Sequence, residues 1–259
     1  MKTFVSLAAA ILFASSAMAQ FTLEPVEYKE GTTVLSGYFA YDASAKDKRP
    51  GVVIVHDWMG VSDYVKMRAE QLVKLGYVAF VADIYGKGVR PANAQEASAE
   101  AGKYKNNRPL LRARVRAALD ELKKHSQVDT KRLAAMGYCF GGGTVLELAR
   151  SGADVLGVVS FHGTLDSPTP EDAKNIKGKV LVLHGGDDPY VPAKDVMAFQ
   201  DEMRKAGVDW QFVAYGGAVH AFTQKGAGND NSKGAAYNEA ADKRSFKAMQ
   251  AFFQEIFGS

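Results

Sequence analysis

The sequence predicts an α/β fold in which a mostly parallel central sheet carries helices on both faces. Two observations lead there. Gly51-Val-Val-Ile-Val-His56, Tyr77-Val-Ala-Phe-Val-Ala82 and Val180-Leu-Val-Leu-His184 are continuous apolar runs with no alternation, the mark of strands buried on both faces. Amphipathic helical stretches separate these runs, and parallel strands need such crossovers.

The elements follow in order. Thr33 to Tyr41 alternates like an early antiparallel strand, and Asp42 to Pro50 is a polar turn. Tyr64 to Leu75 reads as a helix closed by Gly76. Residues 84–107 are Gly-, Ala- and Lys-rich and weakly periodic, which suggests a loop with short helices facing the substrate. Pro109 to Lys124 is a strong helix with proline in its first turn. A β-run at Arg132–Tyr138 leads into a small-residue helix from Gly142. Strands follow at Val155–Phe161, Val180–His184 and Asp209–Tyr215, with helices at about Ala193–Lys205 and Tyr237–Phe257.

Composition narrows the function classes. The chain has 259 residues, 47% hydrophobic and 24% charged, with a net charge of +3. Those values fit one α/β domain over residues 20–259. No dense Lys/Arg run stands out, which argues against a nucleic-acid partner. Lys2, the apolar run Phe4–Ala14 and the small-x-small site Ala17-Met-Ala19 read as a cleavable signal peptide over residues 1–19. The mature chain is then expected to be periplasmic or secreted, with no stable membrane association. Disulfides form in such compartments, yet Cys139 is the only cysteine. An unpaired thiol is a liability there, so its presence calls for a reason.

The reason lies in Gly137-Tyr-Cys-Phe-Gly141, a strand–turn–helix context with cysteine at the nucleophile position. Glycines permit the strained turn and its close backbone packing. A thiol over a helix N-terminus is favoured as thiolate. A nucleophile needs a base, and the base needs an orienting group. Asp187 or Asp188 in the loop after Val180–His184, and His220 after Asp209–Tyr215, offer both at strand C-termini, where open α/β sheets place their sites. Nucleophile, acid, base is also the chain order of hydrolases built on this architecture. The backbone N–H of Phe140, and that of Trp58 after the Gly51–His56 strand, are the expected donors to an oxyanion. His162 is a candidate for lining the site, whereas His56 and His184 are expected to hydrogen-bond within the fold. The histidines lie on different strands without i,i+4 pairing, so neither a metal nor any other cofactor is implied. Arg112, Arg114 and Arg116 read as a solvated helix face.

These stretches resemble the dienelactone hydrolase family, a branch of the α/β-hydrolases. The matching segments are Val52-Val-Ile-Val-His-Asp-Trp-Met-Gly60, Gly76 to Tyr85, Gly137-Tyr-Cys-Phe-Gly-Gly142, Gly185-Gly-Asp-Asp-Pro-Tyr-Val-Pro192 and His220-Ala-Phe222. The resemblance implies the α/β-hydrolase fold, with Cys139 as nucleophile, Asp188 as triad acid and His220 as base. It also implies a carboxylate near the resting thiol at Asp57, where the best-known members carry glutamate. The expected reaction is hydrolysis of a small-molecule ester or lactone through a thioester. Where the type enzymes carry a carboxylate-gripping arginine, this chain has Gln224, which supplies no charged fork. That departure points away from dienelactone itself as the substrate. Two alternatives stand beside this reading: a broad carboxylesterase, and a non-hydrolytic thiol, redox or binding protein on the same fold.

Overall fold

The computed structural model describes residues 20–258, so the leader assigned to residues 1–19 lies outside the described residues. Eight strands form one sheet: β1 (Phe21–Glu30), β2 (Thr33–Asp42), β3 (Arg49–Val55), β4 (Val78–Ala82), β5 (Val128–Tyr138), β6 (Gly157–Phe161), β7 (Lys179–Gly185) and β8 (Trp210–Tyr215). Their order is β1-β2-β4-β3-β5-β6-β7-β8. Only the β1–β2 and β2–β4 pairs are antiparallel; β4 to β8 run parallel.

Among the described residues six α-helices cover the sheet: α1 (Asp63–Lys74), α2 (Ala94–Lys105), α3 (Arg108–Leu122), α4 (Phe140–Arg150), α5 (Ala193–Ala206) and α6 (Glu239–Phe257). Strand β3 shows why both faces need cover. Val53 and Val55 pack into the core that also holds Leu111, Val115, Leu146 and Phe199 of α3, α4 and α5. Val52 and Ile54 point the other way, toward Val65 and Leu72 of α1 and Met249 and Phe253 of α6. Successive side chains on a strand alternate faces, so a strand apolar at every position buries both. The expected α/β-hydrolase architecture is therefore the observed one.

The chain runs from β3 to β4 on one side, then crosses to β5 on the other side of β3. The C-terminal ends of β3 and β5 meet there, with Val55 beside Gly137. Such a reversal of strand order opens a crevice at the carboxyl ends of the strands.

Three sequence expectations need correction. Strand β1 was not foreseen: of its ten residues only Tyr28 is buried, and as an edge strand it tolerates Pro25. Residues 84–107 hold one twelve-residue helix, α2, in place of short ones. Asn93 caps it by accepting from the Glu96 N–H, while Ala97, Ala101 and Tyr104 form its buried face. Alanines on the inner face hid the period. Finally, of Arg112, Arg114 and Arg116 only Arg116 is exposed as expected. Arg114 is buried, and Arg112 pairs with Glu147 and Asp172.

Candidate active site

Cys139 stands between β5 and α4 at φ 54° and ψ −115°, a sparsely populated conformation for a residue with a side chain. The surroundings enforce it. The Cys139 N–H donates to Phe161 O on β6 at 3.0 Å, and its own carbonyl accepts from Gly142 N at 3.0 Å. A Cβ on Gly137 would collide with the Gly141 carbonyl, and one on Gly141 with the Val55 carbonyl. Only glycine lets β5, the turn and α4 approach so closely. The result lifts Cys139 Sγ off the sheet, half-buried, at the N-terminus of α4. There the Phe140 N–H is among the first four helical N–H groups, which have no intrahelical acceptor.

His220 reaches this sulfur from the loop after β8. Its Nε2 lies 3.0 Å from Cys139 Sγ, and its Nδ1 lies 2.8 Å from Asp188 Oδ2. The backbone holds the ring in place: His220 N donates to Gly234 O at 3.1 Å, and Ala236 N donates to His220 O at 3.0 Å. Asp188 has a fully buried side chain, and its Oδ1 accepts the Tyr190 N–H at 2.8 Å. Asp187, the other acid of that loop, is exposed and accepts from Gly217 N at 2.9 Å. With both Asp188 oxygens occupied, His220 carries its Nδ1 proton toward the carboxylate and turns Nε2 to sulfur.

Burial opposes a charge on His220, but the negative charge of Cys139 and the bond to Asp188 outweigh it and push its pKa up to about 10. This geometry can form a thiolate–imidazolium pair. Tyr85 sits across the site with its pKa raised, first by burial and then by the Cys139 and Asp57 charges. It is therefore a neutral hydroxyl, and it donates to Trp58 O at 3.1 Å.

The remaining expected residues occupy distinct places. Trp58 is 38% exposed at the rim of the site, its carbonyl fixed by Tyr85. Asp57 does not hydrogen-bond the thiol. Its Oδ1 accepts from Met59 N at 2.8 Å and its Oδ2 from Gln224 Nε2 at 2.7 Å. Aspartate follows a tight turn here and is one methylene short, so its carboxylate closes on its own loop. Gln224 is thereby tied to Asp57 across the site. His162 lies fully buried behind His220, with ring centroids 5.2 Å apart. His56 bonds within the fold, to Asp57 O at 2.6 Å and Ile84 N at 3.2 Å. His184 packs on Phe212 and its Nδ1 lacks a partner among the described residues.

Sequence reasoning missed Thr223 and Tyr190. Tyr190 sets its ring edge-on to His220 at 5.4 Å. Thr223 binds His162 and Tyr64. Their closeness in sequence to His220 and Asp188 was the only signal. Among the described residues no group of three or more His, Cys, Asp or Glu could hold a metal ion. A cleft of about 560 Å³ beside α5 is lined by none of these site residues.

Comparisons with known proteins show the family. The sequence model of the dienelactone hydrolase family matches residues 35–257. A solved structure named m3DLH is 40% identical, covers 92% of this chain and 99% of its own, and superposes with a TM-score of 0.89. A dienelactone hydrolase-like promiscuous phosphotriesterase from metagenomic libraries is also 40% identical over the same shares, with a TM-score of 0.87. A Saccharolobus solfataricus protein named "Putative carboxymethylenebutenolidase" is 24% identical over 84% of this chain and 93% of its own. With the fold, the strand-end site and these relatives together, the chain belongs to the dienelactone hydrolase family of α/β-hydrolases, enzymes acting on esters and lactones.

Proposed function

We propose that Cys139, His220 and Asp188 form the catalytic triad of a carboxylic ester or lactone hydrolase that works through a thioester. The observation that carries this reading is the unbroken chain Cys139 Sγ–His220 Nε2–His220 Nδ1–Asp188 Oδ2, at 3.0 and 2.8 Å, over a strained elbow. The sulfur attacks the ester carbonyl carbon, and the developing oxyanion meets the N–H groups of Phe140 and Trp58. His220 Nε2–H protonates the leaving alkoxide, and the thioester remains on Cys139.

Acylation changes His220. The sulfur's negative charge, a main reason for its raised pKa, disappears on thioester formation, while burial persists. The imidazole then becomes a neutral base that takes a proton from water, and hydroxide attack on the thioester releases the acid and restores the pair. One ring thus serves as acid and base in turn, switched by the charge of its neighbour.

Dienelactone itself fits poorly as substrate. Gln224 is neutral and its amide is engaged by Asp57, whose negative charge repels a substrate carboxylate. Neutral esters and lactones are the proposed class. We also propose that residues 1–19 are removed and that the mature chain acts outside the cytoplasm; N-terminal sequencing of the exported protein tests this.

The central test is a screen of the purified protein on aryl esters and lactones with Cys139→Ala, His220→Ala and Asp188→Asn as controls. A mass increase equal to the acyl group on Cys139 is expected during turnover. Undiminished rates in Cys139→Ala would end the proposal. A second activity, phosphotriester hydrolysis, is favoured by the 40% identity to the promiscuous phosphotriesterase, and an aryl phosphotriester belongs in the same screen.

A further inference from the structure

Behind His220 lies a string of buried polar groups that the triad does not use. Thr223, three residues after the base, is 2% exposed. Its Oγ1 stands 2.8 Å from His162 Nε2 and 2.6 Å from Tyr64 Oη. Its carbonyl accepts from Arg68 Nη2 at 2.9 Å. Arg68, one turn after Tyr64 on α1, also donates from Nε to Tyr64 Oη at 3.2 Å and from Nη2 to Asp242 Oδ1 at 2.6 Å. His162, at the end of β6, is held at φ 38°. Thus α1, β6, α6 and the His220 loop meet on one hydroxyl and one guanidinium.

The donor inventory orients this string. Arginine only donates, so Tyr64 Oη accepts from Arg68, which leaves its own proton free for Thr223 Oγ1. Thr223 can in turn give its proton to His162 Nε2. His162 is then a neutral imidazole with its proton on Nδ1, an atom without a partner among the described residues. Burial first and then His220 disfavour its protonation, with smaller effects of Arg68 and His184, and together they outweigh a hydrogen bond with its own backbone that favours it. Its ring stands 5.2 Å from that of His220 at 65°, in edge contact.

We propose that Thr223 is a positioning residue: its hydroxyl pins neutral His162 against the His220 imidazole, and so fixes the tilt that aims Nε2 at Cys139. This rests on the reading of His220 as the base. The position matters because each half-reaction passes a proton through Nε2. A displacement of about an ångström at such an atom costs on the order of a hundredfold in rate. A protonated His162 would also put a second cation beside the imidazolium, and occupation of its Nε2 by the Thr223 proton prevents that.

The test compares Thr223→Val, which keeps the shape and loses the hydroxyl, with Thr223→Ser, which keeps it. The expected kcat on an aryl ester falls about tenfold in Thr223→Val with KM within a factor of about two, and Thr223→Ser recovers most of the loss. Nitrogen NMR of the imidazoles reads the string without any substrate. Wild type should show His162 as a single Nδ1–H tautomer, and Thr223→Val should shift its Nε2 resonance. Tyr64→Phe, which removes the donor to Thr223, serves if Thr223→Val fails to fold, and should shift the same resonance. An unchanged His162 spectrum in the folded variants overturns the string. A shifted spectrum with unchanged kcat, or equal losses in the Val and Ser variants, overturns the positioning role. Activity surviving His220→Ala instead overturns the underlying hydrolase reading and leaves the His162 spectrum as it was.

Discussion

Gln224 donates its side-chain amide to Asp57 across 2.7 Å, joining the loop that follows His220 to the loop that presents Trp58. The other Asp57 oxygen is taken by Met59 N–H, so the carboxylate turns to these two loops, and Cys139 Sγ meets His220 Nε2. The proposed Trp58 donor and the base are therefore registered to one another partly through this clasp.

Gln224→Ala leaves a buried charged oxygen without its donor, a loss of about 1–3 kcal/mol where the site must keep its shape. The expected result is a fall in kcat/KM of about tenfold on a neutral aryl ester. Asp57→Asn keeps an acceptor for the Met59 N–H, and a flip of the Gln224 amide lets its Oε1 accept from the new Nδ2–H, so it should lose less. It should also raise the relative rate on a carboxylate-bearing lactone, because the repelling charge is gone. Steady-state kinetics on the two substrates checks both statements, and a larger loss in Asp57→Asn than in Gln224→Ala would contradict the clasp.

His220 couples the site to pH. Its pKa of about 10 in the folded chain, against roughly 6.5 for a free histidine, means that the folded state holds the extra proton. That contribution to stability is fully present below pH ~6.5 and is lost as pH rises through about 10. Nitrogen NMR should find the His220 midpoint near that value in the resting enzyme. In Cys139→Ala, or after alkylation of the thiol to a neutral thioether, the midpoint should drop by more than one unit, since a main cause of the shift has been removed. An unchanged midpoint would contradict the charge-switching cycle.

Much of this was legible in the sequence because it is local. The continuous apolar runs of β3, β4 and β7 reveal double burial in any context, and the glycines around Cys139 announce a tight turn before any contact is known. His220 and the Asp187–Asp188 pair could be placed at strand ends by position alone, and the family resemblance singled out Asp188. What stayed hidden depends on partners far along the chain. Arg112 and Arg114 look like a wet helix face until Glu147, Asp172 and Glu30 are brought to them. The Asp57–Gln224 bond spans 167 residues, and nothing in either neighbourhood announces it. Strand β1 is hard to read for a related reason: an exposed edge needs little apolar patterning.

The elbow glycines should prove more sensitive than their size suggests. A Cβ on Gly141 would meet the carbonyls of Val55 and His56, which are backbone atoms of the central strand and its loop and cannot swing aside. Gly141→Ala is expected to cost about 3 kcal/mol through overpacking, with a matching drop in the urea midpoint. Gly226→Ala is the control, because nothing lies within 4 Å of its Cβ position. A Gly141→Ala protein as stable as that control would show that the elbow can relax.

The helix that starts at Cys139 is also anchored at its far end by charge. Arg150 is 1% exposed and grips both oxygens of Glu202 on α5 at 2.7 Å, through Nε and Nη2. Its Nη1 donates to Glu147 at 2.9 Å, and Glu147 in turn accepts from Arg112 Nε at 2.7 Å. Burial disfavours the Arg150 charge, but Glu202 and Glu147 outweigh it and raise its pKa. Glu202→Leu removes the bidentate partner and leaves the buried guanidinium with Glu147 as its remaining carboxylate, at an expected cost of about 3 kcal/mol. Adding Arg150→Met removes that buried charge while Arg112 still pairs with Glu147, so the double variant should recover part of the loss. Denaturant melts of both single variants and the double variant decide the matter, and purely additive losses would argue against a coupled pair. Because the network lies at the opposite end of α4 from Cys139, the folded fraction of each variant should keep its kcat.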